Sequence, residues 1–145
     1  MNVNLYLAVN SRLARKSEKI YAYILECIIK GETVTIGGTE KTEATYHGAH
    51  LEAAAAGLRR IRKACRVTIY TEDAFIVNML PNLSNWIGSG FVNARGERIK
   101  NAEQWEAVAD AAADVELHGV KGKHAYSYVM EKEMEKNKWN QHSER

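Results

Sequence analysis

The chain reads as an α/β protein built on a mixed five-stranded sheet with helices on its faces. Three observations lead there. Residues 3–9 alternate, with Val3, Leu5, Leu7 and Val9 on one face and Asn4, Tyr6 and Ala8 on the other, the period of a strand. Residues 45–63 switch to a helical stripe of Ala49, Ala53, Ala56, Leu58 and Ile61, with a composition that favours helix. From there strand-like and helix-like segments succeed one another to the end, the pattern of parallel crossovers.

Each element has its own justification. After the first strand, residues 19–29 are rich in β-branched and aromatic side chains, as a second strand should be. A short turn at Lys30-Gly31-Glu32 returns the chain as a third strand over residues 33–39. These first three strands are therefore antiparallel. The helix that follows carries Ala53-Ala54-Ala55-Ala56-Gly57, so little side-chain bulk that it can lie close to a sheet. Its end holds Arg59, Arg60, Arg62 and Lys63, cations suited to the negative end of the helix dipole. Residues 66–71 form a fourth strand, and Glu72-Asp73 open a short helix through Leu80. Pro81 starts a new segment anchored by Trp86, Ile87, Phe91 and Val92. Asn101 is placed to cap the next helix, Val115–Val120 is a fifth strand, and residues 126–137 make the last helix. One domain over 1–137 and a polar tail over 138–145 is the expected division.

The chain has 145 residues, 46% of them hydrophobic and 26% charged, the balance of a folded single domain. No apolar run approaches the roughly 20 residues of a membrane-spanning helix, and no signal peptide is read at the start. A membrane partner is not expected. Cys27 and Cys65 have neither metal-ligand nor disulfide spacing and read as buried free thiols, which suits the reducing cytoplasm. Net charge is +2, too small for binding nucleic acid through whole-body charge and compatible with a local basic patch. Two such stretches stand out: Arg12, Arg15, Lys16 and Lys19 after the first strand, and Arg59 to Arg66.

In open sheets of this kind ligands bind outside the carboxyl ends of the parallel strands. Several strings at those places resemble type 1 ribonuclease H, an enzyme that cuts the RNA strand of RNA–DNA hybrids. They are Tyr6-Leu7-Ala8-Val9-Asn10-Ser11, Val67-Thr68-Ile69-Tyr70-Thr71-Glu72-Asp73, Asn85-Trp86 with Gly90-Phe91, Lys100-Asn101 with Gln104-Trp105, and Val120-Lys121-Gly122-Lys123-His124. Together they span about residues 3–136. The resemblance implies a ribonuclease H-like fold with helices on both faces of the sheet. It also implies a site where four carboxylates hold two magnesium ions that stabilise the attacking and leaving oxygens of the phosphodiester.

The pattern is broken at that site. Val9 stands where the resemblance implies the first-strand aspartate, and His50 where it implies the helix glutamate. Glu72 stands at the fourth-strand position with Asp73 beside it, and the last-helix acid falls on Met130 or Glu131. Glu72, Asp73 and Glu131 are thus the remaining candidates for weak binding of magnesium or manganese. Glu72, Glu131, His124 and His50 are the candidates for any residual catalysis. For nucleic acid, the resemblance puts Asn10, Ser11 and Arg12 toward the RNA strand. It puts Thr45, Tyr46 and His47 near a DNA phosphate pocket, and Trp86 and Phe91 against DNA sugars. Three functions follow: a hybrid-binding domain with impaired hydrolysis, an active hybrid-cutting enzyme with an altered metal site, or a module for a protein partner that kept only the fold.

Overall fold

The computed structural model describes residues 1–143, with side chains through Asn137. Its elements are β1 (Asn2–Val9), β2 (Ser17–Ile29), β3 (Glu32–Ala44), α1 (Tyr46–Leu58), β4 (Cys65–Thr71), α2 (Ala74–Met79), α3 (Leu83–Ser89), α4 (Ala102–Ala111), β5 (Val115–Lys121) and α5 (Ser127–Ser143), with a 3₁₀ turn at Leu80–Asn82 between α2 and α3. The strands form one sheet in the order β3-β2-β1-β4-β5. β1 pairs antiparallel with β2 and parallel with β4. β2 pairs antiparallel with β3, and β4 parallel with β5. The expected mixed five-stranded sheet is what forms.

The two faces of the sheet are packed differently. On one, Val3, Leu5, Leu7, Tyr23, Leu25, Val67 and Ile69 meet the alanine face of α1 and, beyond it, Trp105 and Val108 of α4. The bare helix face lets α1 approach closely: a Cβ added to Gly57 would sit 2.5 Å from Leu5 Cδ1. On the other face, Tyr6, Ile20 and Ala22 are covered by Met130 and Met134 of α5. A polar knot pins that helix. Glu26 accepts from Asn4 Nδ2 (3.1 Å), Tyr6 Oη (3.2 Å) and Tyr126 Oη (2.6 Å). Tyr126's hydrogen bond, followed by Asn4's, holds the Glu26 carboxyl below its ordinary range. Burial and the Glu26 charge push the Tyr6 phenol up to about 12.

Several boundaries differ from the expectation. β3 runs on through Glu40-Lys41-Thr42-Glu43 to Ala44. An edge strand needs no alternating apolar face there, so its polar half carries no strand signal. α1 stops at Leu58, and its last turn holds no basic residue. The carbonyls of that turn are taken by the backbone N–H groups of Arg59, Arg60 and Ile61, so the run of cations lies past the helix rather than in its last turn. Asn101 does occupy the N-cap of α4, but in a left-handed conformation (φ 58°) with no capping bond. Ile87 is 56% exposed and anchors nothing. Cys27 and Cys65 are free, as expected, but half-buried at the margin of the core. α5 continues past residue 137 to Ser143, into the expected tail; residues 144–145 lie outside the described residues. Among the described residues no helix is long and apolar enough to cross a membrane.

Candidate nucleic-acid groove

The carboxyl ends of β1 and β4 and the start of α5 enclose a groove of about 650 Å³. Its lining includes Val9, Asn10, Arg12, Glu72, Lys123 and Glu131. The strand order explains the place: chain direction reverses between β2 and β1, and the parallel pair β1–β4 opens a crevice at its carboxyl end. Asn10 shapes the rim. Its backbone N–H donates to Ile20 O (3.0 Å), and its Oδ1 accepts from Ile20 N–H (2.8 Å). The loop that follows is tied from below by Lys19, which is 1% exposed. Its Nζ donates to Arg15 O (3.0 Å), Ser17 Oγ (2.7 Å) and Ala44 O (2.7 Å). Burial lowers the Lys19 pKa. Lys19 is therefore not part of a basic surface. A lysine in a strand reads as solvated charge, and nothing local marks this one as buried.

The acids expected to share a metal do not converge. Glu72 is half-buried and faces Arg12, with Nη2 3.4 Å from Oε2. Asp73 turns away from the groove and is 2% exposed. One of its oxygens caps α2 at Phe75 N–H (3.0 Å), and the other lies 2.6 Å from His47 Nδ1. At the start of α5, Glu131 lines the groove, while Met130 is buried against the sheet. His50 is buried beneath Tyr46, whose ring meets it edge-on at 4.8 Å. Its Nδ1 is 3.2 Å from Thr71 Oγ1. That hydroxyl also accepts from Asp73 N–H (3.0 Å), which ties it to the start of α2. Burial lowers the His50 pKa to about 4, and the neutral ring is a spectator to the groove. Among the described residues no three His, Cys, Asp or Glu side chains gather closely enough for a metal ion. With Val9 apolar and Glu72 beside a guanidinium, this donor set does not fit a pair of divalent ions.

The other candidates divide between groove and framework. His124 lies at the groove, but both ring nitrogens are engaged. Nε2–H donates to Leu7 O (3.0 Å), and Nδ1 accepts from Tyr126 N–H (3.2 Å). The ring packs on Tyr6 at 4.9 Å, so His124 anchors the approach to α5. Thr45 is the N-cap of α1: Oγ1 accepts from Gly48 N–H (3.0 Å) and lies 3.2 Å from Asn101 Oδ1. His47 is 40% exposed and rests on Phe75, ring centres 4.4 Å apart. Ser11 Oγ accepts from Leu13 N–H (3.3 Å) and shapes its own loop. Trp86 packs edge-on against Trp105 at 5.1 Å, and Phe91 is buried at φ 62°; both serve the core. Lys123 and Tyr128 line the groove and had not been singled out. The basic string Lys121-Gly122-Lys123 was the available signal for the first of them.

No family model matches the chain. A ribonuclease H from Caldicellulosiruptor saccharolyticus is 31% identical over 98 residues, covering 65% of this chain and 63% of that protein. The chain thus spans a little under two thirds of that relative's length. Among solved structures, LC9-RNase H1, a type 1 RNase H with the type 2 active-site motif, matches with a TM-score of 0.70 and 19% identity, over 93% of this chain and 71% of that one. The foamy viral protease-reverse transcriptase in complex with RNA/DNA hybrid matches with a TM-score of 0.67 and 15% identity, over 93% of this chain and 19% of that one. Strand order and chain-long superposition agree that the chain has the ribonuclease H-like fold, and its shared sequence stretch is similar to the ribonucleases H.

Proposed function

We propose that this domain, residues 1–137, binds nucleic acid in the groove between β1, β4 and α5, an RNA–DNA hybrid first of all, and that hydrolysis there is lost or strongly impaired. The observation that carries the second half is Val9 together with the Arg12–Glu72 pair. Where two cations would need carboxylates around them, the chain offers an isopropyl group and an acid already facing a fixed positive charge. Along the groove magnesium or manganese would find Glu72, Glu131 and Glu135, which do not gather into one ligand cluster among the described residues, and Asp73 is occupied by His47.

Support for binding comes from Arg12 and Lys123 on the groove wall and from the fold shared with a reverse transcriptase solved on an RNA/DNA hybrid. Cations facing a phosphodiester backbone need no metal to hold it. With two free thiols and no membrane-spanning helix among the described residues, a cytoplasmic setting suits the reading. A labelled hybrid incubated first in magnesium and then in manganese tests it, with binding and cleavage followed together. The expected result is binding that weakens on raising salt and on Arg12→Ala, with little or no cleavage. Metal-dependent cutting abolished by Glu72→Gln would overturn the loss of hydrolysis. Absence of both binding and cutting would leave a protein-interaction module.

A further inference from the structure

The turn that joins α1 to β4, with the first two residues of that strand, holds the densest positive charge in the chain. Arg59, Arg60, Arg62, Lys63 and Arg66 fall within eight residues that contain no acid, and all five are exposed. Set those five aside, and the rest of the chain has 15 cations against 18 acids; the net positive charge of the molecule resides in this turn. The turn is ordered by its own backbone: Arg60 N–H donates to Gly57 O and Ile61 N–H to Leu58 O, each at 3.0 Å. Ile61 packs inward against the core and leaves the cations outside. Arg66 pairs with Glu116 at 3.1 Å, and Arg60 donates to Tyr23 Oη at 3.0 Å. Arg59, Arg62 and Lys63 make no ion pair among the described residues.

This turn is far from the groove. The groove lies at the carboxyl ends of β1 and β4, and the turn at their amino ends, where Arg66 N–H donates to Met1 O (3.0 Å). The 13 residues of α1 separate the two levels, about 20 Å of helix. We propose that the Arg59–Arg66 turn is a second nucleic-acid contact, taking the phosphodiester backbone of a strand or duplex other than the one in the groove. Four of the five cations are arginine, whose planar fork grips phosphate oxygens in pairs. Protein interfaces are centred on buried apolar or aromatic anchors. The turn presents none, and a phosphate backbone requires none.

The second strand being distinct rests on the groove reading; contact at the turn does not. Anisotropy of a short labelled RNA–DNA hybrid, titrated over a range of KCl, separates the two. The proteins are the wild type, the turn variant Arg62→Glu with Lys63→Glu, and the groove variant Arg12→Glu. Two hybrids per wild-type chain are expected. The turn variant should keep one and lose the other by more than about tenfold in affinity, with its salt slope reduced by about two. Equal stoichiometry and slope in wild type and turn variant would overturn the proposal. So would displacement of the turn-bound hybrid by polyglutamate as readily as by single-stranded polythymidine, which would assign the turn to an acidic protein. Binding that only the turn variant loses, with the Arg12 variant unaffected, would uphold the turn while removing the groove reading.

Discussion

His50 sits at the place where the resemblance implied a metal-binding glutamate, and its surroundings have closed over it. The imidazole is 3% exposed, with Thr71 on one ring nitrogen and Tyr46 across its face. Its folded pKa, about 4, lies below the ordinary histidine value of 6.5. Between those two values the unfolded chain holds a proton that the folded chain refuses, so stability falls as pH drops from 6.5 to 4 and levels off below. That one group accounts for roughly 3 kcal/mol across the window. Urea unfolding at stepped pH should show this slope in the wild type and its absence in His50→Asn. An identical slope in the variant would show that other groups carry it. That Val9 and His50 break the carboxylate pattern implied by the resemblance was legible in the sequence, because a valine cannot bind magnesium and a histidine suits it poorly. The burial of Asp73 and Lys19 was not. Both depend on partners 26 and 25 positions away, His47 and Ala44.

At the scale of the element, α1 is defined by what its inner face lacks. Ala53, Ala54, Ala55 and Gly57 let the helix backbone rest against β1 and β2. Gly57→Ala should gain about 1 kcal/mol in helix propensity and still destabilise the protein. The new methyl would lie 2.5 Å from Leu5 Cδ1 and 3.3 Å from Tyr23 Cδ2. Leu5 is fully buried and has nowhere to turn, so a net loss of about 1–3 kcal/mol is expected from overpacking. Thermal unfolding measures it, and an unchanged or raised Tm would count against so tight a contact. The alanine run announced this closeness in the sequence. The end of the helix was less legible: the cations of residues 59–63 suit a final turn, yet the backbone leaves the helix at Leu58. Strands with one buried face were recognised by their alternation, whereas the outer half of β3 was not, since an edge strand buries too little to impose a period.

The whole molecule has two open sheet edges of different character. β5 carries Glu116, His118 and Lys121 along its length, charges that discourage pairing with another chain. β3 has none between Glu32 and Glu40, and Val34 and Ile36 stand 39% and 40% exposed on it, with Ile28 and Ile29 exposed at the adjoining hairpin end. Reversible self-association at high protein concentration is therefore expected. Ile36→Lys should suppress it in a light-scattering series, and a wild type that stays monomeric throughout would refute the expectation. The mixed five-stranded sheet, antiparallel over its first three strands, and the carboxyl ends of the parallel strands as the place for a groove were legible in the sequence pattern. The division of charge between one turn and the remainder of the surface was hidden in a net value of +2.

The contact between α1 and the sheet also governs how this chain can change over time. A helix whose inner face is alanine and glycine has almost nothing to lose and no room to gain, so a larger side chain at those positions must push the sheet away. Val9 and Glu72 are half-buried at the groove, outside that close contact, and a change of side chain there disturbs the helix-on-sheet packing less. The molecule's shape thus rests on positions that its groove does not use.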